Sequence, residues 1–416
     1  MGLIDEIEKI GKRMKEERSS LEEDIKLNSV VHVSDEDVDY VDRLIYNHCL
    51  NKKSLYELFG SSKLTFNERL NQAEVKGIIN KPILQNRSHL YNRFDIQNLM
   101  DYWNFPKYSD SFEPNVITCE NHKGGSGKST TIITLAVATA LDLKLNAKCC
   151  VIDLDPQGTV GRNLIRSSEG NDIYLTMVDS LLSVVENDSD YSKYLDAGHH
   201  EREIIFAATF STHLPNLDVI PSFPNDDRFT CVFYELNKKQ KTDLISRFRE
   251  KVIPVLKQKY DFIFIDTPSQ DSPILWSASE AADCIVIPIT LHEFDFISTT
   301  NYMLTVSERL NQLPSEGRNL KWIKILPVNV NSRSSHERKT LDKLTRSSRD
   351  KLFTAYIMHS EAFVAAASLN RSVLDLKKSE GYCSSKQFDI ASTSVHAVYK
   401  QFINEIKMSS ERKKSN

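Results

Sequence analysis

The chain has 416 residues, 40% of them apolar, with a formal net charge of −4, which points to a globular protein of two or three packed units. No apolar run approaches the ~20 residues that span a bilayer, and the charged N-terminal stretch MGLIDEIEKIGKRMKEERSS lacks the apolar core and cleavage site of a signal peptide. Seven cysteines, an odd number with no CxxC pair, indicate neither a disulfide framework nor a zinc site, and the cytosol is the expected home.

Charge is segregated along the chain. Residues 1–50 carry 7 Lys+Arg against 13 Asp+Glu, residues 51–107 carry 9 against 5, and Arg318 to Lys351 holds 10 against 3. The last is a concentrated basic patch, either a solvated surface or a contact for polyanions.

In chain order, Leu3, Ile4, Ile7, Ile10, Met14 and Leu21 fall at helical spacing. Such a stripe needs a partner, either its own chain or a second copy. A second helix is expected from Ser34 or Asp35, with Val38, Val41, Leu44 and Ile45 as its buried face. Ser54–Phe59, Gly60–Lys63 and Thr65–Lys76 then read as helix, turn and helix. Pro82–Leu84 and His89–Phe94 read as two strands joined by a polar tip, Gln85–Ser88. The outline is a winged helix-turn-helix over 34–103, after an N-terminal helix in 1–33, though three-helix units that bind no DNA share it. Candidate base readers are Thr65, Asn67, Glu68, Arg69, Asn71 and Gln72, with Lys63, Arg87 and Arg93 for phosphates.

Residues 104–114, with two prolines, read as a linker. From 115 to 416 the pattern changes. NVITCEN, KCCVIDLD, LDVIPS, DFIFIDT, DCIVIPIT and WIKILPV are short, nearly continuous apolar runs separated by helix-length segments. That is the mark of an α/β fold with a doubly wound, mostly parallel sheet. A final amphipathic helix is expected over Phe388–Met408, followed by a frayed tail, ERKKSN.

The chemistry gathers at ENHKGGSGKSTT, Glu120 to Thr131. Gly127, Lys128 and Ser129 fit the end of a P-loop, but His122 stands where its first glycine belongs and Lys123 precedes Gly124 and Gly125. A strand runs into this loop and a helix leaves it, so backbone N–H groups of Gly124, Gly125, Ser126, Gly127 and Thr130 and the helix dipole are aimed at phosphates. Lys128 is expected on the β- and γ-phosphates and Ser129 on Mg²⁺. Downstream, Asp153 and Asp155 end one strand and Asp266 ends another, the latter the natural Walker-B carboxylate.

KGGSGKS with DLDPQG and IDTP resembles the deviant Walker-A ATPases, the ParA/MinD family. The resemblance implies ATP/ADP and Mg²⁺ as ligands and a nucleotide-sandwich homodimer. In it Lys123 reaches the partner's phosphates, Asp155 positions the attacking water, and Ser129, Asp153 and Asp266 serve the metal. The full layout resembles the large, type Ia ParA proteins of DNA partition. It implies a weak ATPase, cytoplasmic and nucleoid-associated, that binds nonspecific DNA through Arg333, Arg338 and Lys339. It further implies operator DNA bound through the winged helix and hydrolysis stimulated by a centromere-binding, ParB-type partner. YIMHSEAF (Tyr356–Phe363) resembles the family's adenine-side loop but lacks its usual Pro-Arg. Two other readings stand beside this one. A nucleotide-regulated repressor would have no use for Asp155, and a MinD-like membrane-cycling ATPase needs a more apolar C-terminal anchor than KQFINEIKMSSERKKSN.

Overall fold

The computed structural model describes residues 3–27, 29–35, 40–165 and 174–412. Val38 and the last four residues of the expected tail lie outside them. The chain divides into two compact units, Met1–Phe105 and Pro106–Asn416.

The first unit opens with α1 (Leu3–Leu27). Four residues of the expected stripe are open, Ile4, Ile7, Ile10 and Met14, with Ile4 81% and Met14 68% exposed, while the side chains of Leu3 and Leu21 lie outside the description. The helix expected from Ser34 is replaced by a ribbon, β1 (Val30–His32) antiparallel to β2 (Tyr40–Asp42), leading into the short α2 (Arg43–Asn47). β-branched residues favour the ribbon, and Asp42 rather than Ser34 or Asp35 caps the helix, accepting from the N–H of Leu44 and Ile45. The ribbon straddles the boundary expected after residue 33, so the N-terminal helix and the segment after it are not cut there.

β3 (Leu50–Asn51), α3 (Lys52–Phe59) and α4 (Lys63–Val75) follow. Asn51 caps α3, Gly60 closes it at φ 60°, and the Ser62 hydroxyl caps α4 through the Thr65 N–H. β4 (Ile83–Gln85) and β5 (Ser88–Tyr91) are joined by Asn86 and Arg87 alone, both at positive φ, and form a three-stranded antiparallel sheet with β3. α5 (Arg93–Tyr102) ends the unit. Phe66, Leu70, Tyr91, Ile96 and Leu99 are buried, and Phe59 and Trp103 close the core by edge and stacked ring contacts with Phe66.

The expected linker is packed rather than extended. Tyr108 is buried against Phe262, and its hydroxyl meets Ser410 at 2.9 Å and the Asn115 amide at 3.1 Å. The second unit holds β6 (Asn115–Cys119), β7 (Cys149–Asp153), β8 (Phe210–Ser211), β9 (Leu217–Ile220), β10 (Phe262–Asp266), β11 (Cys284–Ile289) and β12 (Trp322–Pro327). Their order is β12-β11-β6-β10-β7-β9-β8, parallel except for β8, which runs antiparallel to β9.

Alternate residues of each strand feed two cores. Ile117, Val151 and Phe264 pack with α6 (Lys128–Leu141) and with Val398, Phe402 and Ile406 of the C-terminal helix Ser385–Ser410. Val116, Ile152 and Ile265 face the other side, against Leu181, Phe229, Leu244 and Ala278. Such two-sided burial is why these strands read as unbroken apolar runs. All seven cysteines are free thiols, four of them buried in strands. Among the described residues no helix is long and apolar enough to cross a membrane.

Candidate functional site

β6 lies between β10 and β11, while the chain leaving it returns as β7 on the far side of β10. The carboxyl end of β6 is thus a switch point of the winding, where α/β sheets open a crevice. The strand register sets Asp266 level with both Cys119 and Asp153. Beyond Cys119, the loop turns through Gly125 and Gly127, at φ 73° and 83°, where a side chain would strain the backbone. Gly124 and Gly125 face open space, leaving room for a phosphate to approach the backbone.

Lys128 starts α6, is 6% exposed, and donates from Nζ to Ser269 Oγ at 2.6 Å and to the Lys123 carbonyl at 3.4 Å. Burial lowers its proton affinity, against Cys119, Asp266 and Asp155, which raise it. Lys123 is half-buried, its N–H held by Asn121 Oδ1, and Asn121 in turn donates to the Pro288 carbonyl. Ser126 is buried with no hydrogen-bond partner for its hydroxyl, whereas Ser129 is half-buried and Thr130 exposed.

The three aspartates differ. Asp266 is wholly buried, and neither carboxylate oxygen meets the geometry of a hydrogen bond. Burial pushes its pKa up to about 7, Asp155 adding to the rise while Ser129 and Lys128 oppose it. Two buried, unsatisfied oxygens near a hydroxyl form a hard donor set that fits Mg²⁺. Asp153, expected on the metal, spends its oxygens on its own loop: Oδ1 accepts from Asp155 N–H and Oδ2 from Val160 N–H, both at 3.0 Å. Burial and the neighbouring Asp266 raise its pKa well above the ordinary value. Asp155 is half-buried and accepts from Gln157 N–H.

A buried cluster beside the loop escaped the sequence reading. Glu120, wholly buried, accepts from Thr118 Oγ1, Ser279 Oγ, the Tyr302 hydroxyl and Arg309 Nη2. Arg309 also donates to Asp271, which receives the Trp276 indole N–H and lies 3.9 Å from His122 Nε2. The available signal was an acid placed directly after a fully buried strand.

The basic stretch narrows in the fold. Lys321 donates to Asn115 and Lys324 to Glu405, so both serve the packing. Arg333, Arg338 and Lys339 are exposed, the last two with Lys343 and Arg346 on the helix Ser335–Ser348, which buries Glu337, Thr340 and Leu344. Arg333 also lines an open groove of about 1110 Å³ with Tyr356, Met358 and His359.

In the first unit Lys63, Thr65, Arg69, Asn71 and Gln72 are exposed on α4 with Glu68, and Asn67 is half-buried. The Thr65 hydroxyl is 2.9 Å from Ser62 Oγ, and the Arg69 guanidinium lies 4.4 Å over Trp103. Arg87 is exposed at the hairpin turn. Arg93, expected on a phosphate, is half-buried. It turns inward to the His48 carbonyl, and burial lowers its pKa to about 10.

Comparison with known proteins agrees with this geometry. Residues 114–313 match the AAA domain family, in its ParA/MinD-type branch. Plasmid partition protein A of Escherichia coli is 24% identical over 287 residues, 64% of this chain and 68% of its own. The sporulation initiation inhibitor protein Soj of Bacillus subtilis is 22% identical over 265 residues, covering 62% of this chain and 90% of its own. A solved partition protein shares the fold across 98% of both chains, with a TM-score of 0.60 at 18% identity. On its phosphate loop, its sheet and these relatives, the region 114–313 is an AAA domain of the ParA/MinD type, and the chain is similar to partition proteins.

Proposed function

We propose that this protein is a DNA-partition ATPase whose nucleotide state switches its hold on DNA. The observation that carries the reading is the pairing of a phosphate loop preceded by Lys123 with the buried, unsatisfied carboxylate of Asp266 beside Ser129. Gly124 to Thr130 bind the phosphates, and Lys128 exchanges Ser269 for their oxygens. Mg²⁺ held through Ser129 and Asp266 supplies positive charge against the phosphates. Asp153 acts by fixing the loop that carries Asp155, and Asp155 orients water. Lys123 reaches the phosphates of a second copy, so ATP favours a closed homodimer and hydrolysis releases it.

In the dimer, Arg333, Arg338 and Lys339 provide the salt-sensitive hold on nonspecific nucleoid DNA. The winged helix-turn-helix, through Lys63, Thr65, Asn67, Arg69 and Arg87, binds operator DNA and represses the protein's own operon. The open apolar stripe of α1 pairs two copies over a two-fold operator. A ParB-type centromere-binding protein triggers hydrolysis.

Binding to random-sequence DNA with ATP, with ADP and without nucleotide, across a salt series, tests the switch. Strong, salt-steep binding with ATP alone, lost in Lys128→Ala, is expected. Binding indifferent to nucleotide would favour the repressor reading.

A further inference from the structure

Two loops flank the phosphate site: residues 120–127, and residues 267–272 after Asp266. They are tied together twice. The inner tie is the 2.6 Å bond from Lys128 Nζ to Ser269 Oγ. The outer tie runs through Arg309, on the helix Glu293–Gln312, whose Nη2 donates to Glu120 Oε2 at 2.6 Å and whose Nη1 donates to Asp271 Oδ1 at 3.2 Å. One guanidinium therefore joins a carboxylate at the root of the phosphate loop to a carboxylate in the loop after the Walker-B strand.

We propose that Arg309 is a positioning residue that sets the spacing of the two loops during ATP hydrolysis. The inference rests on the ATPase reading above. When Lys128 turns to the phosphates it must leave Ser269, and the inner tie is lost at the moment the loops need to be held. The outer tie does not involve the phosphates and persists. Its geometry suits a bridge: Arg309 is 7% exposed, and Glu120, wholly buried, is locked by three further donors, Thr118, Ser279 and Tyr302. Asp271 is fixed by the Trp276 indole at 2.8 Å. Burial alone would weaken the Arg309 charge, but Glu120, Tyr302 and Asp271 hold it in place. A planar fork can serve two carboxylates in fixed directions, which an ammonium cannot. His122, edge-on to Tyr302 at 4.9 Å, sits inside this ring of partners and directly precedes Lys123.

The test uses the full chain and the variants Asp271→Asn, Arg309→Lys and the double substitution. Asp271 is on a loop and partly exposed, so its variant keeps the fold. Amide hydrogen exchange without nucleotide is measured over residues 120–127 and 267–272. Asp271→Asn is expected to speed exchange several-fold in both loops, including residues 123–127 of the one to which it does not belong. ATP turnover is then expected to fall about ten-fold in each single variant with KM within about two-fold of wild type, and no further in the double, as for residues acting as a unit. Exchange confined to residues 267–272, or turnover losses that multiply in the double variant, would overturn the bridge. Absence of turnover in the wild type would count against the ATPase reading, while the exchange result would still decide the bridge.

Discussion

The phosphate site and the basic helix Ser335–Ser348 hold their charges in opposite ways. At the site Lys128, Asp153 and Asp266 are buried together, and the charge of Asp266 raises the proton affinity of both of the others. On the helix Arg338, Lys339, Lys343 and Arg346 stand exposed, where solvent and salt screen each from the others. Substitutions should therefore act all-or-none in the first region and in small, additive steps in the second. The largest expected effect is Lys128→Ala, with ATP turnover down by about 100-fold or more and ATP-dependent DNA binding lost. Asp155→Ala sharpens the contrast, because it should lose turnover yet keep ATP-dependent DNA binding, read by phosphate release and by filter binding on the same preparations.

Next in size is the pH response of Asp266. Its folded pKa lies near 7 against an ordinary 3.8, raised by burial. The folded protein thus holds this proton more tightly than the unfolded chain. The resulting stability is fully present below about pH 4 and is lost as pH rises through about 7. Asp266→Asn removes that slope and should make the nucleotide-free protein more stable than wild type at pH 8, by a few kcal/mol at most or roughly 5 °C. Thermal melts from pH 4 to 8 check it, and parallel curves for the two proteins would refute it. Added Mg²⁺ should narrow the difference at pH 8, since it compensates the same buried charge.

Smaller again are Arg338→Ala and Lys339→Ala. Each should weaken binding to random DNA several-fold and reduce the slope of log affinity against log salt by about 1. Their effects should add, and binding of ATP should not change. A steep loss from either alone would mean that the helix reads DNA as one interlocked surface, like the phosphate site, and the comparison would fail.

Much of this contrast could be read before the fold was known. The six parallel strands were legible because burial on both faces writes an unbroken apolar run, and the phosphate loop because glycine spacing reports backbone geometry. The edge strand β8 has two residues, too few to leave a period. The helix expected from Ser34 starts only at Arg43 because Val41 falls in β2, while Leu44 and Ile45 do lie on α2. Arg93 and Arg69 share the charge and chain context of a DNA contact, but periodicity does not report that Arg93 bonds the His48 carbonyl or that Arg69 stacks on Trp103. The Glu120–Arg309 bridge joins residues 189 positions apart, a separation over which local pattern carries no information.

Arg69 yields the smallest and most discriminating prediction. It was read as a base contact at the start of the recognition helix, yet its guanidinium stacks 4.4 Å over Trp103, which itself packs edge-on against Phe59 and Phe66. An exposed cation over an indole contributes about 0.5–1 kcal/mol, so Arg69→Ala should lower the stability of the first unit by that amount, measured by the denaturant dependence of amide exchange over residues 50–103. Trp103→Leu with Arg69 intact separates the two roles. If the stack only supports the fold, Arg69→Ala loses that stability, Trp103→Leu loses more because it also gives up the contacts with Phe59 and Phe66, and both retain affinity for DNA from the protein's own promoter region. If Arg69 leaves the stack to meet DNA, Arg69→Ala loses about 1–3 kcal/mol of promoter affinity while Trp103→Leu, which frees the guanidinium, keeps it. The second result would make α4 a surface whose charge is held in reserve, closer to the phosphate site, where Lys128 is bonded to Ser269, than to the exposed lysines and arginines of the helix Ser335–Ser348.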